Sequence, residues 1–393
     1  MIPEYYEFQN MGKVCSGKLA LEHIPYELSM KHASRPLILT DHTLEKLGML
    51  KLLQKAMDGV DTTHVFADIY PDSSIDTVRQ AADFYTRCGC DSLVAMGGGS
   101  VLDTAKGVAM VISQDGADIY SLIGCEELPQ GKPVPFLAVP TTAGTGSEAT
   151  CVAVIAHPQK DVKLEFISGH IQPQVSILDP RMTQSLPPRI TASTAMDALC
   201  HAIEAFSCRQ KNPLSDAYAI AAIRLISSHL LTAVTHPKDM EARMAMANGS
   251  MIAGAAFSNS MVGGVHAIGH ALGGVCHIAH ADAMAILLPH VMSYNLDVCT
   301  DTYSELLLHL AGPGAYAAAN AHERAQKSIE TIRSLNQTLH DTCDMPITLA
   351  QTNRITPDQF EAVAEKALKD GAILFNPKAL GKDFIIRLLK EAY

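Results

Sequence analysis

The sequence predicts an α/β domain followed by an all-α domain, and three observations carry that expectation. Between Arg35 and about Pro180, short β-rich apolar runs alternate with helix-like stretches. After Pro188 the chain turns rich in Ala, Met, Leu and His, and its apolar residues recur at three- and four-residue spacing. The 393-residue length is also more than one ordinary core fills, so two domains are expected. The boundary is placed between Pro180 and Thr191, dividing residues 1–185 from 186–393.

In the first part, RPLILTD, THVFADI, DSLVAMGGG, PFLAVPTT, CVAVIA and VSILDP are each short and often end in Gly, Thr or Asp. Between them lie helical segments such as HTLEKLGMLKLLQKAM and SIDTVRQAADFYTRCG. Strand, helix, strand in succession implies a mostly parallel, Rossmann-like sheet with helices on both faces. Ligands of such sheets sit beyond the carboxyl ends of the strands. In the second part, SDAYAIAAIRLISSHLLTAV, DMEARMAMANGSMIAGAAF and ERAQKSIETIRSLNQTLHDT read as long helices. The cleft between the domains is the expected site.

Composition narrows the class. Hydrophobic residues make up 48% and charged residues 18%, as in a compact enzyme and unlike a disordered chain. The net charge is −11 and no basic run stands out, which argues against a nucleic-acid or anionic-membrane partner. No apolar run is expected to span a bilayer, which takes about 20 residues. MIPEYYEFQNMGKV lacks the basic-then-apolar pattern of a signal peptide, so the expected location is cytoplasmic. The ten cysteines have no paired CxxC spacing and read as reduced thiols, against a cysteine-ligated structural zinc.

Two loops in the first part suit a dinucleotide. LVAMGGGSVLDTAK is a buried strand, three glycines and a helix opened by Ser100. Glycine lets backbone approach a diphosphate closely, and a helix N-terminus offers unpaired N–H groups. The GxGxxG fingerprint is absent, and a plain strand-to-helix turn is the alternative. AVPTTAGTGSEAT supplies hydroxyls from Thr141, Thr142, Thr145 and Ser147 after the next apolar run. Asp41 closes the first of these strands, where a carboxylate can bind ribose hydroxyls and repel a 2′-phosphate, favouring NAD over NADP. Its alternative role is N-cap of the helix that follows. Lys163 can steady the cofactor, or simply be solvated.

The second part holds a cluster of metal-ligand types. Asp197 and His201 are four residues apart, as are His266 and His270, so each pair shares a helix face. His277 and His280 follow closely. A carboxylate among apolar neighbours needs a partner, either a cation or a hydrogen bond within the core. One oxygen and up to three nitrogens, with no sulfur, suit Fe(II), Zn(II), Mn(II), Ni(II) or Co(II).

GGGSVLDTAK, PTTAGTGSE, ILDP, MDALCHAIEAF, AGAAFSN with VHAIGHALGG, and FNPK occur in this order along nearly the whole chain. Together they resemble the iron-containing (group III) alcohol dehydrogenases. The resemblance implies a dehydroquinate synthase-like architecture and metal ligands at Asp197, His201, His266 and His280, with Fe(II) the expected metal. His270 matches a histidine beside the metal that can relay a proton. Gly98, Gly99 and Ser100 match the diphosphate loop, Thr141, Thr142 and Thr145 the second cofactor loop, and Asp41 and Lys163 two further NAD contacts. Phe257 and Val152 match positions on the substrate-pocket wall. The implied reaction is reversible hydride transfer between NAD and a small primary alcohol or its aldehyde, in a homodimer or larger homo-oligomer. Ala279-His280-Ala281 departs from the usual Pro-His-Gly, and His277 three residues earlier is an alternative ligand. Ala195 replaces the usual glycine before Met-Asp. Competing readings are a sugar-phosphate cyclase of the same architecture, a superoxide dismutase, and a catalytically silent assembly protein. The first would need a basic phosphate pocket in the helical part, and the second leaves both glycine loops unused.

Overall fold

The apolar runs of the first part become strands because their side chains are buried on both faces, the pattern of a sheet covered by helices on each side. A computed structural model describes residues 3–125, 131–157 and 162–393. Its strands are β1 (Lys13–Ser16), β2 (Pro36–Leu39), β3 (Val65–Phe66), β4 (Ser92–Gly97), β5 (Gly124–Cys125), β6 (Phe136–Pro140), β7 (Val152–His157), β8 (Val162–Ile167) and β9 (Val175–Leu178). Six form one parallel sheet in the order β1-β9-β6-β4-β2-β3. These strands belong to a compact unit, Gln9–Ser185, with helices α1 (Ile24–Met30), α2 (His42–Lys46), α3 (Met49–Ala56), α4 (Ile75–Cys88) and α5 (Gly99–Ser113).

Side-chain alternation divides the core in two. Leu37, Leu39, Leu93, Ala95 and Phe136 pack on one face against α4 and α5 residues such as Val78, Tyr85, Leu102 and Val108. Ile38, Val94, Met96, Leu137 and Ile177 pack on the other against Ile24, Leu28, Leu50 and Leu53 of α1 and α3.

The sequence expectation differs in three places. β7, expected in the parallel sheet, pairs antiparallel with β8 in a separate three-stranded sheet, β5-β8-β7. Its alternating burial marks a sheet with one covered face, unlike the continuous burial of β2, β4 and β6. Gly48, at φ 78°, breaks the single expected helix into α2 and α3. β1 carries too little apolar character to announce itself and lies at a sheet edge.

The second compact unit joins Leu186–Tyr393 to the N-terminal residues through Phe8. That first segment thus goes with the helices, not with the α/β unit, and Phe8 lies 5.4 Å from the Tyr218 ring. Its helices are α6 (Pro188–Ser207), α7 (Pro213–Thr235), α8 (Met240–Ser258), α9 (Gly264–Cys276), α10 (His280–Asn295), α11 (Thr300–Ala318), α12 (Arg324–Cys343), α13 (Phe360–Ala367) and α14 (Lys382–Glu391). α6 is the hub: it packs against α7, α8 and α10, and every residue from Ala195 to Ser207 is buried. The 23-residue α7 is long and apolar enough to cross a membrane by length and composition, with a mean hydropathy of 1.5 over an 18-residue window. Here it carries Asp216 and Arg224 and packs against α6, α8 and α11.

Asn376 of FNPK ties the C-terminal segment to α9. Its side-chain oxygen accepts from the Gly264 amide at 3.1 Å, capping the helix that carries His266 and His270, and from Asn295 Nδ2 at 3.0 Å.

The turn from β4 into α5 tolerates no side chain at Gly97, where a Cβ would stand 2.4 Å from Val101 Cβ and Cγ2. Gly97→Ala is therefore expected to lower stability by about 1–3 kcal/mol through overpacking, measured as a fall in the urea midpoint. An unchanged midpoint would mean that the turn relaxes freely.

Candidate functional site: a dinucleotide loop set and a carboxylate–imidazole cage

Three adjacent parallel strands, β6, β4 and β2, end in the three segments singled out in the sequence. After β4, the carbonyl of Gly98 accepts from the amides of Val101 and Leu102, each at 3.1 Å, starting α5. The amides of Gly99 and Ser100 lie in the first turn, outside the helical ladder. After β6, Thr141 is buried and its amide donates to Gly97 O at 3.0 Å, locking the two loops together. A Cβ on Gly98 would meet the Thr142 side chain at 3.5 Å, and one on Gly99 would meet Thr145 Cγ2 at 3.0 Å. The glycines thus keep open a strip of backbone flanked by two threonines.

After β2, Asp41 caps α2: its Oδ1 accepts from the Leu44 amide at 2.9 Å. The alternative role read for this carboxylate is therefore present. Lys163 is exposed, and its ammonium donates to Asp72 Oδ1 at 2.7 Å, while the Asp72 amide donates to Ser100 Oγ at 3.2 Å. Lys163 is thus linked to the glycine loop through one residue.

A support the sequence reading passed over lies beneath these loops. Lys106 is fully buried, and its Nζ donates to Ser147 Oγ at 2.8 Å, Thr150 Oγ1 at 2.8 Å and Val152 O at 2.6 Å. Asp103 accepts from Ser147 Oγ at 2.8 Å and from the Val154 amide at 3.0 Å. Burial pushes the Asp103 carboxyl up and pulls the Lys106 ammonium down, and their mutual attraction opposes both shifts. Val152, read as a pocket residue, is held at the start of β7 by this lysine. The signal was present in GGGSVLDTAK, where Asp103 and Lys106 stand three apart on one helix face.

In the helical unit, one ligand atom each from Asp197, His201, His266 and His280 all lie within 4.8 Å of one another. Asp197 Oδ1 stands 3.3 Å from His280 Nε2 and 3.9 Å from both His266 Nε2 and His201 Nδ1. Donors about 2.1 Å from a common centre are about 3.4 Å apart in a tetrahedron, so the spacing suits one divalent ion. Asp197 Oδ1, His201 Nδ1 and His266 Nε2 are buried and have no hydrogen-bond partner among the described residues. Buried polar atoms are normally paired, and three such atoms converging on one point suit a cation as their partner. The donor set therefore fits a metal.

Protonation agrees. Burial would push the Asp197 carboxyl up, but the surrounding His201, His280 and His266 rings hold it well below the usual range. Burial pulls the His201 imidazole down to about 3 and that of His266 well below its ordinary value. An ionised carboxylate facing imidazoles driven towards neutrality is the ligand state that metals bind.

His277 is exposed in a left-handed conformation at the end of α9 and is not in the cluster, so the geometry selects His280 between the two alternatives. His270 stacks on His280, with ring centroids 5.3 Å apart, and its Nδ1 lies 2.9 Å from Asp370 Oδ2. Phe257 stacks on His201 at 4.3 Å. Two supporting carboxylates escaped the sequence reading. Asp370 belongs to no motif and lies 100 residues from His270. Glu204 does lie in a motif, at the next turn of α6 after Asp197 and His201, and its Oε2 is 2.5 Å from His266 Nδ1.

Two family models match the chain. The family model "Iron-containing alcohol dehydrogenase" covers residues 12–180, and "Fe-containing alcohol dehydrogenase family, C-terminal" covers 191–393. The chain is similar to a long-chain-alcohol dehydrogenase of Geobacillus thermodenitrificans, 39% identical over 76% of this chain and 75% of that one. It is also similar to a NAD-dependent methanol dehydrogenase of Bacillus methanolicus, 33% identical over 96% of this chain and 97% of that one. The crystal structure of a 1,3-propanediol oxidoreductase superposes with a TM-score of 0.93 at 31% identity, covering 99% of this chain and 100% of that one. These matches make the chain an oxidoreductase of the alcohol dehydrogenase class. The chain belongs to the iron-containing alcohol dehydrogenase family.

Lys106→Met would leave Ser147, Thr150 and the Val152 carbonyl without their shared donor. The expected cost is about 3–5 kcal/mol, as for a broken buried ion pair, read as a lower thermal midpoint with a weaker NADH titration. A variant with wild-type stability would show that the ammonium is dispensable.

Proposed function

We propose that this protein is a metal-dependent NAD(H) alcohol dehydrogenase, or aldehyde reductase, acting on a small primary alcohol and its aldehyde. The observation that carries the reading is the cage of Asp197, His201, His266 and His280, with three orphaned ligand atoms. When bound, a divalent metal supplies Lewis-acid stabilisation of an alkoxide, and NAD accepts or returns the hydride.

Each part of the chain has a role in this reading. Asp197 and the three histidines hold the metal, with Fe(II) the first choice and Zn, Mn, Ni or Co open to the same donors. His270, oriented by Asp370, carries the alcohol proton away from the reacting centre, and Phe257 presents an aromatic wall beside His201. Gly98, Gly99 and Ser100 bind the diphosphate, Thr141, Thr142 and Thr145 line the second cofactor loop, Lys163 steadies the cofactor ribose or diphosphate, and Val152 belongs to the substrate-pocket wall. Asp41 favours NAD over NADP, since its free charge would repel a 2′-phosphate while its other oxygen caps α2. A homodimer or larger assembly and a cytoplasmic location complete the proposal. Relatives named for methanol and for long-chain alcohols bracket a wide range of substrate size.

The test is aldehyde-dependent NADH oxidation by anaerobically purified protein, with and without added Fe(II), across a panel of short aldehydes, with NADPH as comparison. Metal-dependent turnover with NADH is expected. His266→Ala should lower it by more than the roughly 10–100-fold that losing an outer-shell partner costs, with the circular dichroism of the fold retained. NADH binding without turnover under any metal would favour the cyclase or silent-assembly readings.

A further inference from the structure

We propose that Glu204 is a positioning residue that fixes His266 in the tautomer able to bind the metal. The inference rests on the metal-site reading above and extends it to a residue outside the cage. Glu204 Oε2 lies 2.5 Å from His266 Nδ1, and Oε1 accepts from the Val265 amide at 2.8 Å. Both carboxylate oxygens are thus committed to neighbours on α9. The side chain is buried and closely packed: a Cβ on Gly263 would stand 3.1 Å from Oε1.

Spacing places support and ligands on one rod. Asp197, His201 and Glu204 follow each other by four and three residues on α6, so they share one face. α6 presents two cage ligands and, one turn on, reaches across to hold a third from behind. The far nitrogen of that ring, His266 Nε2, faces Asp197 Oδ1 at 3.9 Å and has no hydrogen-bond partner among the described residues. A neutral imidazole carries its proton on only one nitrogen. With Nδ1–H donated to Glu204, the Nε2 lone pair is presented to the cage, and the carboxylate raises its basicity. With the proton on Nε2 instead, His266 would be no ligand at all.

The chemistry of glutamine separates this role from packing. Glu204→Gln keeps the shape but replaces one acceptor oxygen by an NH2 donor. Its single oxygen can serve the Val265 amide or His266 Nδ1–H, but not both. Keeping the backbone bond turns the NH2 towards Nδ1, which then must be the acceptor, and the imidazole proton moves to Nε2.

The experiment uses the full-length protein with Co(II) as the probe. Affinity for Co(II) is measured by chelator competition in wild type and Glu204→Gln, with circular dichroism as the folding control. The tautomer of His266 is read in the metal-free wild type from two-bond 1H–15N correlations after 15N-histidine labelling, its signals assigned by their loss in His266→Ala. The expected results are Co(II) binding roughly 10–100-fold weaker in Glu204→Gln and a wild-type proton on Nδ1. A folded Glu204→Gln with wild-type Co(II) affinity overturns the assignment. So does a wild-type proton on Nε2, whether or not the variant folds. Wild-type protein that takes up no Co(II) overturns the metal-site reading beneath it, a failure distinct from the other two.

Discussion

The buried carboxylate of Asp197 is the constraint on which the helical unit depends. It is 2% exposed, and its Oδ1 has no hydrogen-bond partner among the described residues. An isolated anion in such surroundings is costly, and the imidazoles around it are driven towards neutrality by the same burial. A bound cation, as proposed, would resolve both problems at once, and the surrounding helices hold the geometry that would receive it.

Rigidity around the cage comes from close packing, a helix cap and an ion pair. α6 is buried from Ala195 to Ser207 and packs against α7, α8 and α10, so Asp197 and His201 project from its buried stretch. α9 is fixed at its start by Asn376 and along its face by a close approach to α10, where a Cβ on Gly269 would stand 1.9 Å from Met284 Cε. His280 opens α10 itself, and Asp282 one turn in pairs with Arg189 at 2.8 Å. In the α/β unit a buried lysine organises the loop after β6.

What could be read from the sequence follows from how local each signal is. Strands buried on both faces announce themselves as apolar runs, and Asp197 with His201, or His266 with His270, by helical spacing alone. Glu204 was equally local, three residues after His201, yet a glutamate in a helix looks like any solvated one until its burial is known. Asp370 gave no signal, because its partner lies 100 residues away and the pairing exists only in three dimensions. The choice of His280 over His277 depended on one left-handed residue, which no spacing rule anticipates. β1 and the separate β7–β8 sheet were missed because edge strands and half-covered strands dilute the hydrophobic pattern. Asp41 shows the opposite case: both roles read for it are chemically sound, and the cap is the one the fold displays.

The most direct test of the central claim is X-ray absorption spectroscopy of the protein reconstituted anaerobically with one equivalent of Fe(II) or Co(II). The account predicts a first shell of oxygen and nitrogen scatterers at about 2.0–2.2 Å, with the outer-shell pattern of three imidazoles and no sulfur. That pattern should lose one imidazole in His280→Ala and none in His277→Ala. A sulfur scatterer, or an unchanged shell in His280→Ala, would contradict it.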